Sequence, residues 1–156
     1  MKDFNLTDEE RRAAVVQQMR EQTGIDERMI EQLVRSFYAR IRDDSLLGPI
    51  FNSRISDWEP HLQRMCSFWS SVTLSSGIYH GQPMRVHLPL PIDARHFDHW
   101  LALFEHTARD LFSEKVAEYF MERARRIAKS LELGIASDHG LVLGTGERFR
   151  QEDNPA

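Results

Sequence analysis

Apolar positions recur along this chain at spacings of three and four residues almost throughout, and that period predicts helices rather than strands. The clearest run is Ile30, Leu33, Val34, Phe37, Tyr38 and Ile41, with Asp26 placed to cap it. A second run carries Trp58, His61, Leu62, Met65, Phe68, Trp69 and Val72 to about Ser76, opened by the Ser56-x-x-Glu59 capping-box pattern. Asp93 heads a third, with Phe97, Trp100, Leu101, Phe104, Ala108 and Leu111 on its inner face. Ser113 opens a fourth, where Val116, Phe120, Ala124, Ile127 and Leu131 face inward and Gly134 is the expected stop.

Between these helices lie shorter pieces. Leu46 to Phe51 reads as a turn with Gly48-Pro49 as its breaker, and Pro83 starts a short helical turn that ends near Leu88, before Pro89 and Pro91. At the N-terminus, Thr7 and Glu10 form another capping box, opening a polar helix to about Gln22 whose apolar face (Ala13, Val16, Met19) is thin. From Ala136 the period disappears into a Gly-rich, charged stretch. The predicted class is all-α, with an N-terminal helical extension (1–25), one domain (26–134) and a flexible C-terminal tail (135–156).

Composition narrows the function. A net charge of −4 and a pI near 6.0 argue against nucleic acid or an anionic membrane as partner. The basic run Arg123-Ala-Arg125-Arg126 lies beside Glu118 and Glu122 and reads as a solvated helix face. No apolar run approaches the ~18 residues of a membrane span. The charged N-terminus is unlike a signal peptide, and the one cysteine, Cys66, permits no intrachain disulfide. The expected location is the cytoplasm and the favoured state a monomer.

Two histidines stand out. His61 lies on the apolar face with Met65, Phe68, Trp69 and Val72, whereas His87 follows a Gly/Pro break and sits on its own short segment. They are too far apart for adjacent turns of one helix, so each belongs to a different element. Histidines offered from two elements across an aromatic-lined gap can address opposite faces of an iron porphyrin. The bland alternative is a pair of packed, hydrogen-bonded core histidines. Met65, one turn on from His61, is a gap filler more readily than an axial ligand. Arg64, at i+3 from His61, either reaches a carboxylate at a macrocycle's edge or is a solvated surface arginine. The chain lacks Cys-x-x-Cys-His, so a haem would be held without covalent attachment. His80, His96, His99 and His106 read as surface residues; His96 and His99 at i,i+3 are a weak zinc pattern without a third ligand.

Four stretches in order, FYARIRDDSLLGPIF, WEPHLQRMCSFW, YHGQPMRVHLPLP and HFDHWLALFEHT, resemble the group III truncated haemoglobins over roughly Ile30 to Leu133. The resemblance implies a globin-like, two-over-two helical sandwich holding haem b. It makes His87 the proximal iron ligand and places Tyr38, His61 and Trp100 on the distal side, with Phe51 packed on the haem plane. His61 is also a candidate sixth ligand. Dioxygen, nitric oxide, carbon monoxide or peroxide would be the ligands. A donor-rich pocket favours nitric oxide or peroxide chemistry, or sensing, over oxygen delivery. Turnover would need an external reductase, since no flavin or nicotinamide motif is present. The alternatives are a bis-histidine electron-transfer haem protein and a haem-free helical interaction module.

Overall fold

The computed structural model describes residues 6–151, and within them seven α-helices are joined by loops. The first five residues of the N-terminal extension and residues 152–156 of the expected tail lie outside the described residues. The helices are α1 (Asp8–Thr23), α2 (Glu27–Asp43), α3 (Gly48–Arg54), α4 (Trp58–Leu74), α5 (Pro83–His87), α6 (Ala94–Leu111) and α7 (Glu114–Asp138). Helix α2 packs on α4 and α6 on α7, and the two pairs meet where α2 lies against α6 and α4 against α7. This is the expected helical sandwich.

Local chemistry sets most helix starts. The Asp26 carboxylate accepts from the Met29 N–H at 2.9 Å, and the Ser113 hydroxyl accepts from the Val116 N–H at 3.4 Å. Thr7 and Glu10 complete their capping box at 3.1 and 2.8 Å. The buried stripe of α2 is the one its period predicts: Ile30, Leu33, Val34, Phe37, Tyr38 and Ile41. It meets α4 and α6 through an aromatic seam, in which Phe37 packs edge-on to Trp100 and Phe104, and Phe104 stacks on Trp69 at 5.0 Å. Fully burying one such ring is worth roughly 1.5–3 kcal/mol, so this seam is the main fastening between the layers. Helix α1 contributes no buried residue and rests on α4 with Val16 and Met19 against the core.

Four local expectations need correction. Ser56 and Glu59 do not form a capping box; α4 starts after Asp57, and Glu59 instead takes two hydrogen bonds from Arg35 at 2.6 and 3.0 Å. A bidentate charge-assisted pair outcompetes a cap. The Gly48-Pro49 turn is a helix, because Pro49 sits in the first turn, where its missing N–H is harmless. Asp44 supports that entrance by accepting from the N–H groups of Leu46 and Leu47 at 3.0 and 2.9 Å. Gly134 does not stop α7, which continues to Asp138. It is a notch instead: a Cβ there would run into the Met84 thioether, so the missing side chain makes room for the tip of Met84 where α5 meets α7.

The fourth correction concerns the tail. Beyond α7 the chain turns at Gly140 (φ 81°) and comes back to pack, with Phe149 fully buried. Arg148 clasps Glu132 at 2.7 and 2.8 Å and Asp98 at 2.7 and 3.2 Å. A segment anchored by one aromatic ring and one arginine has no period to read, so its composition resembles that of a loose end.

Candidate functional site

A cavity of about 370 Å³ opens between α2, α3, α4, α5, α6 and α7, within the usual range for small-molecule sites of ~300–1,000 Å³. Tyr38, Phe51, His61, Arg64, Met65, His87 and Trp100 all line it. Residues far apart in the chain are thus brought to one space. Cys66 is half-buried but is not on this wall, as its one-residue offset from Met65 requires.

His87 closes α5. Its Nδ1 lies 2.5 Å from the Pro83 carbonyl oxygen. A carbonyl has no proton to give, so Nδ1–H is the donor and Nε2 keeps its lone pair in the neutral ring. Burial favours that neutral form, lowering the imidazole pKa against the opposing pull of the Pro83 carbonyl.

His61 comes from the first turns of α4. Tyr38 packs edge-on to it at 5.1 Å between ring centroids and Trp58 at 5.6 Å. Burial, with smaller contributions from the charges of Arg64 and His87, pushes its pKa down to about 4. The ring is neutral at physiological pH. Its Nε2 is buried with no hydrogen-bond partner among the described residues, a condition that typically costs about 1–3 kcal/mol. His61 and His87 therefore present two neutral imidazoles to one apolar space.

Tyr38 is buried, and desolvation raises its phenol above the ordinary tyrosine value, which keeps the O–H proton in place as a donor. Trp100 is held by stacking on Phe104 at 5.2 Å and edge-on contact with Phe37 at 5.2 Å. Its indole can only donate. Two donors from different helices thus line the wall that His61 shares.

Arg54, Tyr79 and His96 line the cavity without having been legible as site residues in the sequence. Arg54 ends α3, one turn beyond Phe51, and donates to the Ile50 carbonyl and the Ser53 hydroxyl at 3.4 and 3.1 Å. His96, expected at the surface, lines the cavity and completes a capping box: its Nδ1 accepts from the Asp93 N–H at 3.0 Å. The Asp-x-x-His spacing was the available clue. His99 instead contacts Asp44 at 2.6 Å, so the two histidines of the zinc pattern serve different acids. His106 is exposed beside Asp110, and His80 is exposed.

Sandwiched helix pairs around an apolar cavity faced by two histidines define a globin, and the chain belongs to the bacterial-like globin family, whose model matches residues 18–132. Within that family it is a truncated haemoglobin of group III. It is 34% identical over 113 residues to the group 3 truncated haemoglobin ctb of Campylobacter jejuni, covering 69% of this chain and 89% of that protein. The crystal structure of a group III truncated haemoglobin from C. jejuni superposes with a TM-score of 0.66 at 35% identity, over 69% of this chain and 88% of that one. A group II truncated haemoglobin from Bacillus anthracis shares the fold, with a TM-score of 0.59 at 22% identity over 83% of this chain and 95% of that one. Membership carries haem-based ligand binding with it, and none of the described helices is long and apolar enough to cross a membrane.

Proposed function

We propose that this protein holds haem b without covalent attachment, with His87 as proximal ligand, and retains dioxygen or another diatomic ligand against Tyr38, Trp100 and His61. The observation that carries the reading is the pair of neutral imidazoles on one apolar cavity, one with its Nε2 lone pair fixed by Pro83 and the other with a buried, unpartnered Nε2. Phe51 and Met65 would pack on the macrocycle, and Arg64 and Arg54 would pair with its carboxylates. When bound, haem supplies an iron that takes up diatomic ligands and exchanges electrons.

The chain's own part is to bias which ligand stays. Tyr38 and Trp100 are fixed donors in an apolar setting, where a hydrogen bond to a partly negative acceptor is strong and needs little reorganisation. Against such donors a ligand that gains negative charge, such as dioxygen, would be held, and one that does not, such as carbon monoxide, would be held less. Strong retention suits nitric oxide or peroxide chemistry, or sensing, better than oxygen delivery. Nitric oxide dioxygenation or peroxide reduction would draw electrons from an external reductase.

Tyr38→Phe combined with Trp100→Phe should speed dioxygen release by about tenfold or more, equivalent to ~1.4 kcal/mol, with a smaller change for carbon monoxide. Equal dioxygen release from wild type and the double variant, measured by stopped-flow displacement, would contradict the donor mechanism. A second reading, a bis-histidine electron-transfer protein, is favoured by the unpartnered His61 Nε2 alone. A six-coordinate ferrous spectrum that His61→Leu converts to five-coordinate would establish that ligation.

A further inference from the structure

We propose that the segment from Arg148 to Gln151 is a positioning strap for the cavity, setting how long haem is retained and how the α6 wall meets a bound gas. The proposal rests on the haem reading above and adds a determinant to it. The strap lies beyond residues 18–132, the part of the chain that matches the family.

The strap grips the chain where α6 begins. The Phe149 carbonyl accepts from the Ala94 N–H at 2.8 Å, the Gln151 N–H donates to the Asp93 carboxylate at 3.3 Å, and the Gln151 side-chain amide donates to the Ile92 carbonyl at 3.3 Å. The stretch from Ile92 through the first two turns of α6 feeds the cavity directly, since Ile92, His96, Phe97 and Trp100 all line it. Asp93 is the junction. Burial would raise its carboxyl pKa, but Arg95 and the N–H groups of Gln151 and Arg95 outweigh burial and hold it at about 2. The same residue's N–H fixes the His96 ring.

Two further anchors make the grip firm. Phe149 is fully buried in a cluster with Ile92, Phe97 and Ala128, so its ring stands behind the cavity wall itself. Glu132 is a buried carboxylate (7% side-chain exposure) whose charge is met by Arg148 and by the Phe149 N–H at 3.2 Å. Removing Arg148 leaves that charge without its guanidinium, a loss that is strongly destabilising where both groups are buried and smaller here, because Arg148 is 44% exposed. Packed elements of this kind move as units, so a released strap would shift the α6 entrance rather than a single side chain.

The test uses the full-length holoprotein. Arg148→Gln and Phe149→Ala are compared with the conservative Arg148→Lys and Phe149→Leu, and with Arg126→Gln, which breaks an exposed pair elsewhere on α7. The readouts are the rate of haem transfer to excess apomyoglobin and the rate of dioxygen release, at a temperature where circular dichroism shows each variant folded. Arg148→Gln and Phe149→Ala should lose haem about tenfold faster and change dioxygen release about threefold or more, with Phe149→Leu near wild type and Arg126→Gln unchanged. Arg148→Lys should fall between wild type and Arg148→Gln, because an ammonium keeps the charge but not the forked contacts. If Phe149→Ala does not fold, Arg148→Gln decides alone. Folded variants with wild-type rates for both processes, even with a lowered melting temperature, overturn the strap and leave the haem reading intact. A wild-type protein that takes up no haem overturns both.

Discussion

His61 has a pKa that burial pushes down to about 4 and, unlike a purely packed core residue, a buried ring nitrogen with no partner among the described residues. An ordinary core histidine has its polar atoms satisfied. The first property has a measurable consequence in the haem-free protein. Above about pH 6.5 the ring is neutral in both the folded and unfolded states and does not affect their balance. As pH falls from 6.5 to about 4 the unfolded chain takes the proton first, so stability declines across that window. Urea midpoints measured through this range should fall for wild type and fall less steeply for His61→Leu. Parallel pH profiles would show that His61 is not the desolvated group described here. The sequence, through its resemblance to the truncated haemoglobins, pointed to Tyr38, Phe51, His61, Arg64, Met65, His87 and Trp100 as one site, and all seven line the cavity. It did not place Arg54 or His96, whose positions depend on how α3 and the first turn of α6 fold back on the cavity.

Helix starts were legible wherever the cap is a local matter, as at Thr7, Asp26, Asp93 and Ser113. They were misread where a distant partner intervenes. Ser56-x-x-Glu59 has the right spacing for a cap, but Arg35 on α2 holds Glu59. Gly134 has the right identity for a stop, but Met84 on α5 fills the space that its missing side chain leaves. Gly48 belongs to the same class of tertiary requirement. A Cβ there would stand 2.9 Å from the Arg42 carbonyl oxygen and 3.1 Å from that of Ile41, and backbone atoms cannot swing aside as a methionine tip can. Gly48→Ala should therefore force α3 away from α2 and destabilise the fold by roughly 1–3 kcal/mol, the usual range for overpacking. Chemical denaturation checks this, and a midpoint equal to wild type would mean that the α2–α3 approach is looser than described.

On the scale of the whole molecule, the layered helices were legible because long amphipathic periods leave little choice of fold class. The C-terminal return was not. Leu141, Leu143 and Phe149 pack with Ile92, Phe97 and Ala128 without sharing a helical face, and Arg148 finds acids on two helices, α6 and α7. α6, backed by the returning chain, α5 seated on α7 and the α2–α4 pair enclose one cavity, and the account stands on what His87 does there. The ferrous absorption spectrum of His87→Gly, recorded with and without added imidazole, tests that most directly. Wild type should take up haem, and the variant should lose it or show an altered spectrum that imidazole restores. Full haem content with an unchanged ferrous spectrum in the variant, without imidazole, would contradict the proximal assignment.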